Sequence, residues 1–160
     1  MHDALYGGRK FRTFNLIDES NREALGIEVG TSIPSARVIR ILNRMIELYG
    51  KPEALRIDNG PEFVAAAFEE WCQERGIARL YIEPGKPDQN AFIERFNRTY
   101  RNEVLDQYVF ESVSQVQLLT DDWLIIYNRE RPHDSLGRVP PLTYLPRQTT
   151  IGDSSYRVST

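Results

Sequence analysis

The sequence has few of the residues that build disulfide bonds or zinc sites. Its 160 residues include one cysteine, Cys72, and two histidines. A single cysteine excludes an internal disulfide and any cysteine-rich zinc site, and it fits a reducing compartment. No apolar run approaches the ~18 residues of a membrane span, and the first ten residues lack the apolar core of a signal peptide. We therefore expect a cytoplasmic protein with no membrane partner.

The chain also lacks an excess of positive charge. It has 20 Lys and Arg against 23 Asp and Glu, a net charge of −3, whereas nucleic-acid-binding domains are usually basic overall. The charges are distributed unevenly along the chain, however. Residues 51–75 carry six acids and three bases, whereas residues 86–101 carry four bases and two acids. With 41% hydrophobic residues, the composition is that of a single globular domain. The net charge therefore does not exclude a basic face for DNA.

Hydrophobic periodicity predicts alternating strands and helices. Strands are expected at 11–18, 24–29, 54–58 and 77–82, and helices at about 35–49, 62–75, 88–105 and 112–129. Ser32 or Ser35 is expected to cap the first helix, which stops at Gly50. The inward side of the second helix is expected to carry Phe63, Ala66, Ala67, Trp71 and Cys72. Two strands followed by alternating helices and strands predict a mixed α/β domain.

Asp58 is the first candidate functional carboxylate. It closes a short apolar strand directly before the Asn59–Pro61 turn, and α/β sheets place functional residues at such strand ends. An aspartate there also caps a following helix well, and the residues alone leave these two interpretations equally open.

Glu94 is the second candidate. An apolar stripe of Phe92, Phe96, Tyr100 and Val104 is expected to mark the core side of its helix. Residues Asn90, Glu94, Asn97 and Arg101 share a different face, which points Glu94 away from that core. The alternative is a solvated helix face with an ordinary ion pair, which contributes little.

Three motifs in order resemble a known family. Thirty-five residues separate Asp58 from Glu94, and the flanking sequences are distinctive. The motifs are Ile57-Asp58-Asn59-Gly60-Pro61-Glu62-Phe63, the segment from Pro84-Gly85-Lys86-Pro87 to Glu94-Arg95-Phe96-Asn97, and Tyr127-Asn128 with Arg131-Pro132-His133 and Pro140-Pro141. Over about residues 1–146, the chain resembles the catalytic core of integrase-type transposases of bacterial insertion sequences, in the retroviral-integrase superfamily.

The resemblance implies an RNase H-like α/β fold and DNA transposition, with transposon ends and target DNA as partners. It also implies two Asp and one Glu that hold two Mg²⁺ or Mn²⁺ ions, of which Asp58 is the second Asp and Glu94 the Glu. Two cations held by hard oxygen ligands stabilise the attacking and leaving oxygens of a phosphodiester. Expected DNA contacts are Lys86, Asn90, Asn97, Arg98 and Arg101, with a solvated face as the alternative for the cations.

The first Asp of the family pattern falls about two residues before Met1. Asp3 matches a later, non-catalytic Asp of that pattern, and Asp18 is better explained by a hairpin turn. We therefore expect weakened metal binding and an enzyme activity that is impaired in this chain. The alternative is a catalytically silent remnant that binds DNA or oligomerises, and a true ribonuclease H is a weaker third interpretation.

The resemblance also has consequences for the fold. The family's first strand lies centrally between the hairpin and the Asp58 strand, and here it is expected to be largely missing. Unpaired backbone groups are costly when buried, so residues 1–6 are expected to form a stub of that strand, or a partner chain to supply the pairing. Self-association is therefore expected. The expected divisions are a catalytic core at 1–108, a helix and Pro-rich connector at 109–146, and a tail at 147–160.

Overall fold

A mixed β-sheet with helices on both faces makes up the protein. The structure, a computed structural model, describes residues 1–83, 90–146 and 156–160. The strands are β1 (His2–Ala4), β2 (Lys10–Asp18), β3 (Ala24–Gly30), β4 (Ala54–Ile57), β5 (Ala78–Tyr81) and β6 (Arg157–Ser159). The helices are α1 (Ser35–Tyr49), α2 (Ala66–Arg75), α3 (Ala91–Tyr100), α4 (Val113–Arg129) and α5 (Pro141–Tyr144). A π-helical turn, Arg101–Leu105, extends α3, and a 3-10 turn covers Asp134–Leu136.

The sheet consists of two halves joined by the three-residue strand β6. β2 pairs antiparallel with β1 and β3, while β4 and β5 pair in parallel. β6 lies between the halves, antiparallel to β2 and parallel to β4. Among the described strands, β6 alone joins the two halves by backbone pairing.

Each face of the sheet carries its own apolar core. Strand side chains alternate between faces, so Phe14 and Leu16 of β2 lie on the side covered by α1 and α2. Phe11 and Ile17 of the same strand lie on the side covered by α3 and α4. Asp58 directly follows Ile57, so it belongs to the α3 side of the sheet.

Most expected elements are confirmed, and several details are wrong. Pro34 precedes α1 and no side chain caps that helix, so neither Ser32 nor Ser35 is the expected cap. Ala66 and Ala67 are exposed and Phe68 is buried instead, because α2 begins only at residue 66.

The core face of α3 is shifted from the expected stripe. Phe96, Tyr100 and Val104 are buried as predicted, but Ile93 takes the buried position that was assigned to Phe92. Phe92 is 43% exposed, and the guanidinium of Arg22 lies 3.4 Å from its ring centroid. A cation over an aromatic face allows Phe92 to stay at the surface.

The place expected for the family's first strand is shared by two short strands. Residues 2–4 form the predicted stub, which pairs only with β2 among the described strands. The position between the hairpin and the Asp58 strand is held by β6, from a segment in which no strand was expected. The pairing that was predicted to come from the stub or a partner is therefore supplied by the chain's own last residues.

Candidate functional site

Asp58 lies just beyond the carboxyl end of β4, with its side chain exposed. Its Oδ1 accepts the Gly60 N–H at 2.8 Å, which closes a tight turn. A Cβ at residue 60 would stand 2.8 Å from that oxygen, so glycine permits this close approach. Helix α2 begins after Ala65 with no side-chain cap, so the helix-capping interpretation of Asp58 is wrong. The carboxylate of this exposed residue is thus held in a turn through one of its oxygens.

Asn15 is a central polar residue of the site that the sequence reasoning missed. Its side chain is 4% exposed, and its Nδ2 donates to Asn97 Oδ1 at 2.7 Å, tying β2 to α3. Its Oδ1 is buried without a hydrogen-bond partner among the described residues. An amide inside the apolar run of β2 was the available signal, because buried polar groups need partners.

Glu94 is exposed on the first turn of α3, as predicted. Asn97 follows it by three residues, so the two side chains share one helix face. Because Asn97 is bonded to Asn15, this face is anchored on β2. Glu94 and Asp58 therefore belong to the same side of the sheet.

Arg101 links the end of α3 to β1. Its guanidinium donates to Asp3 Oδ2 at 3.0 Å and to the His2 carbonyl at 2.9 Å, and it lies 3.4 Å from Asp106. These contacts engage the guanidinium of Arg101, which was expected to contact DNA. They also give Asp3 a structural role. Asp18 accepts both the Ser20 N–H and its hydroxyl at the end of β2, which agrees with the hairpin-turn interpretation.

The other expected DNA contacts differ in their surroundings. Arg98 is exposed on α3, on a side where a phosphate can reach it. Asn90 is half-buried, and its Oδ1 has no hydrogen-bond partner among the described residues. Lys86 lies outside the described residues, so its predicted role stays a prediction.

The donor atoms present suit a hard divalent cation only in part. Asp58 and Glu94 offer carboxylate oxygens, the ligands that Mg²⁺ prefers. Within residues 1–83, 90–146 and 156–160, no group of three His, Cys, Asp or Glu side chains could hold a metal ion. The described residues therefore offer oxygen ligands of the right kind but do not form a closed two-ion centre.

The third sequence motif has structural contacts. Asn128 on α4 bonds both backbone groups of Ala24, and Arg131 forms an ion pair with Glu103, which also accepts the Trp123 indole N–H at 2.8 Å. These contacts fasten the connector to β3 and to the π-helical turn.

The pKa values of buried Cys72 and half-buried His133 are shifted by their surroundings. Burial raises the pKa of the Cys72 thiol to about 11, and Arg79 and Arg75 oppose this shift. Burial lowers the pKa of His133, and the nearby cations, Arg131 first, lower it further. A protonated thiol is a poor nucleophile, so Cys72 has the character of an inert core residue.

Comparison with known proteins covers nearly the whole chain. Two family models, each described as "Integrase core domain", match residues 1–87 and 75–141. A protein of insertion element IS476 from Xanthomonas euvesicatoria is 42% identical over 142 residues, which are 89% of this chain and 41% of that protein. A protein of insertion element IS407 from Burkholderia multivorans is 34% identical over 95% of this chain and 55% of its own length. The chain thus spans about half the length of these relatives.

Solved structures share the fold. The catalytic core domain of HTLV-2 integrase in complex with magnesium has a TM-score of 0.67 at 20% identity, covering 87% of both chains. The catalytic core domain of BIV integrase has a TM-score of 0.65 at 20% identity, covering 89% of this chain and 88% of that one. The expected RNase H-like α/β fold is confirmed. None of the helices in the described ranges is long and apolar enough to cross a membrane.

Proposed function

Because this chain belongs to the integrase core-domain family, that of the integrase-type transposases of insertion sequences, we propose that it is a DNA-binding transposase core. We assign its metal and catalytic positions to Asp58 and Glu94. The observation that carries this assignment is the Asn15–Asn97 bond, which anchors the Glu94 face of α3 on the same side of the sheet as Asp58. Two exposed carboxylates then lie on the same side of the sheet.

The proposed cofactor is Mg²⁺, which Mn²⁺ can replace, bound by Asp58 and Glu94. When bound, such an ion stabilises the charge that develops on phosphodiester oxygens during in-line attack. The protein contributes the fixed Asp58 turn and the anchored α3 face, so the carboxylates are oriented before the metal arrives. A magnesium complex is known for the HTLV-2 integrase core, which shares this fold.

The proposed DNA contacts are Lys86, Asn90, Asn97, Arg98 and Arg101. Arg98 is the strongest of these, since it is exposed one turn beyond Glu94 and guanidinium groups bind phosphate oxygens in pairs. Arg101 contributes mainly through its bonds to β1, which hold the end of α3. We further propose that the chain self-associates and acts in the cytoplasm.

We propose that the 160-residue polypeptide has little strand-transfer activity of its own. A two-ion centre needs carboxylates that hold both cations, and the described part of the chain holds no cluster of three metal-ligating side chains. The same observation favours a second candidate function, a core that binds DNA and does not cut it.

Manganese binding to the full chain, followed by electron paramagnetic resonance, tests the assignment. Glu94→Gln and Asp58→Asn each remove one charged ligand, so we expect affinity to fall at least about tenfold, or ~1.4 kcal/mol. Asp122→Asn is the matched control, because Asp122 is exposed on α4 and outside the proposed site. Equal losses in all three variants would refute the assignment.

A DNA nicking assay in Mn²⁺ separates the two candidate functions. We expect salt-sensitive DNA binding that Arg98→Ala weakens, with little cleavage. Robust cleavage abolished by Glu94→Gln would overturn the proposed impairment and leave the site assignment intact.

A further inference from the structure

Three arginines from separate segments act on one histidine of the connector. Arg22 belongs to the turn between β2 and β3, Arg95 to α3, and Arg131 to the connector that follows α4. Burial lowers the pKa of His133, and all three positive charges lower it further. The His133 ring packs edge-on against Tyr127 with centroids 4.8 Å apart, so the cluster lies at the end of α4.

The turn and α3 together hold Arg22 in place. Its φ of 63° lies in the left-handed region that residues with a side chain rarely adopt. Its N–H donates to the Asp18 carbonyl at 2.9 Å, which closes the turn. Its guanidinium lies 3.4 Å from the centroid of the Phe92 ring. These contacts keep the charge of Arg22 beside α3.

The charge of Arg22 is poorly compensated. Its Nε and Nη1 are buried and have no hydrogen-bond partner among the described residues, and burial lowers its pKa. Glu19 and Asp18 oppose this shift, but both have other partners. Glu19 pairs with Arg56 at 2.8 Å, and Asp18 accepts the Ser20 N–H and hydroxyl. Burial of an incompletely paired cation costs free energy, and a bound anion would lower that cost.

The cluster lies apart from the proposed metal site. Phe92, against which Arg22 stacks, precedes Glu94 by two residues and so stands about 200° from it around α3. Arg95 follows Phe92 by three residues, so these two share a side of the helix. The Glu94 face is instead directed by the bond from Asn97 to β2.

We propose that Arg22, Arg95 and Arg131 form a binding site for one phosphate group, either of a DNA backbone or of a free phosphate ion. Guanidinium groups bind phosphate oxygens in pairs, and a phosphate has enough oxygens to meet several of them. Glu103 forms an ion pair with Arg131 and offsets only one of the three charges. Nη2 of Arg22 is the guanidinium nitrogen left for the phosphate, since its other two are buried.

His133 reports on this site through its own proton. Its Nε2 is buried without a hydrogen-bond partner among the described residues, and its other ring nitrogen is hydrogen-bonded to the backbone of Tyr127. A phosphate group beside the three arginines offsets the positive charges that disfavour the protonated ring. Binding of phosphate therefore raises the pKa of His133 toward its ordinary value.

NMR of the full chain with ¹³C-labelled histidine tests the site. The chain has two histidines, and His2→Gln assigns their signals. We expect the pKa of His133 to be higher by about 1 in inorganic phosphate than in chloride of equal ionic strength. His2 is the internal control, because it is exposed on β1 and its pKa is expected to change much less. Acetate, which has one charge and two oxygens, is expected to have a smaller effect on His133.

Substitutions of single arginines identify the groups that bind phosphate. Arg22→Gln is expected to weaken phosphate binding, followed at His133, by at least about tenfold. Arg95→Gln alters an exposed side chain and so retains the fold, and it is expected to weaken binding in the same direction. Arg44→Gln is the matched control, because Arg44 is exposed on α1, on the other side of the sheet.

A short DNA duplex distinguishes the two sources of phosphate. A rise in the pKa of His133 at lower concentrations of duplex than of inorganic phosphate supports a backbone phosphate, and a rise with inorganic phosphate alone supports the free ion. The proposal is overturned if phosphate and chloride give the same pKa for His133, or if Arg22→Gln and Arg95→Gln both respond as Arg44→Gln does. The phosphate titration uses neither DNA nor metal, so its failure is separate from failure of the proposed function.

Discussion

Asn15 and Asp58 are the polar residues on the α3 side of the sheet around which we build the candidate site. Asn15 sits in a strand whose neighbours Phe14 and Leu16 are buried, yet its amide faces α3 and bonds Asn97. Leaving the Asn15 Oδ1 buried and unpaired costs free energy, so this side chain calls for an explanation other than stability. At the residue scale, these polar side chains lie on the α3 side of the sheet, the side to which we assign the proposed site.

His133 has a titration that is linked to folding. Its ring packs edge-on against Tyr127, with centroids 4.8 Å apart, and burial together with Arg131, Arg22 and Arg95 lowers its pKa. Because the pKa of His133 is lower in the folded than in the unfolded chain, the unfolded chain binds this proton more readily. Stability therefore falls as pH drops below the unfolded value of about 6.5.

We expect His133→Gln to reduce the loss of stability between pH 7.5 and pH 5.5. Urea denaturation at the two pH values measures it. The comparison variant is His2→Gln. Slight burial and then Arg12 also lower the pKa of His2, but its side chain is exposed, so we expect a smaller change in this pH dependence. The interpretation fails if wild type and His133→Gln lose stability equally.

α4 protects the exposed edge of the sheet with two side-chain amides. Gln117 accepts the Val29 N–H at 2.8 Å and donates to the Ile27 carbonyl at 2.9 Å. Asn128, three turns further along, accepts the Ala24 N–H at 2.8 Å and donates to the Ala24 carbonyl at 2.9 Å. Unpaired edge strands invite pairing with other chains, so these contacts cover β3 as a strand would.

Removing either amide is expected to destabilise β3 locally. Asn128→Ala and Gln117→Ala each leave two backbone groups unpaired, at a cost of about 1 to 3 kcal/mol. Hydrogen exchange should show faster exchange at Ala24 in the first variant and at Val29 in the second. Asp122→Ala, on an exposed position of α4, serves as the control. Equal exchange at both amides in all three variants would contradict the edge-protection role.

At the scale of the whole molecule, the central strand is assembled from both ends of the chain. β1 comes from the first residues and β6 from the last, and they share one edge of β2. The two halves of the sheet depend on this arrangement, because among the described strands only β6 pairs with both β2 and β4. Asp58 directly follows β4, which pairs with β6.

Much of the fold could be predicted because its signals are local. The β-forming residues of β2, the helical spacing in α1 and the break at Gly50 all depend on neighbouring residues. Phe92 was misjudged because Ile93 and Phe92 are both apolar, and only packing against the sheet decides which one is buried. Asn15 was missed because its partner Asn97 lies 82 residues away.

The sequence by itself determined the order of elements, the family, and the two candidate carboxylates, since each rests on residue types at short spacing. Only the tertiary structure decided which segment completes the sheet. β6 is three residues long and has no local sequence pattern that predicts a strand. It is stabilised by pairing with Ile17 and Arg56, which are far away in the chain. Contacts between distant residues are selected by the whole fold, because strand pairing and burial are gained only when the partners are already in place.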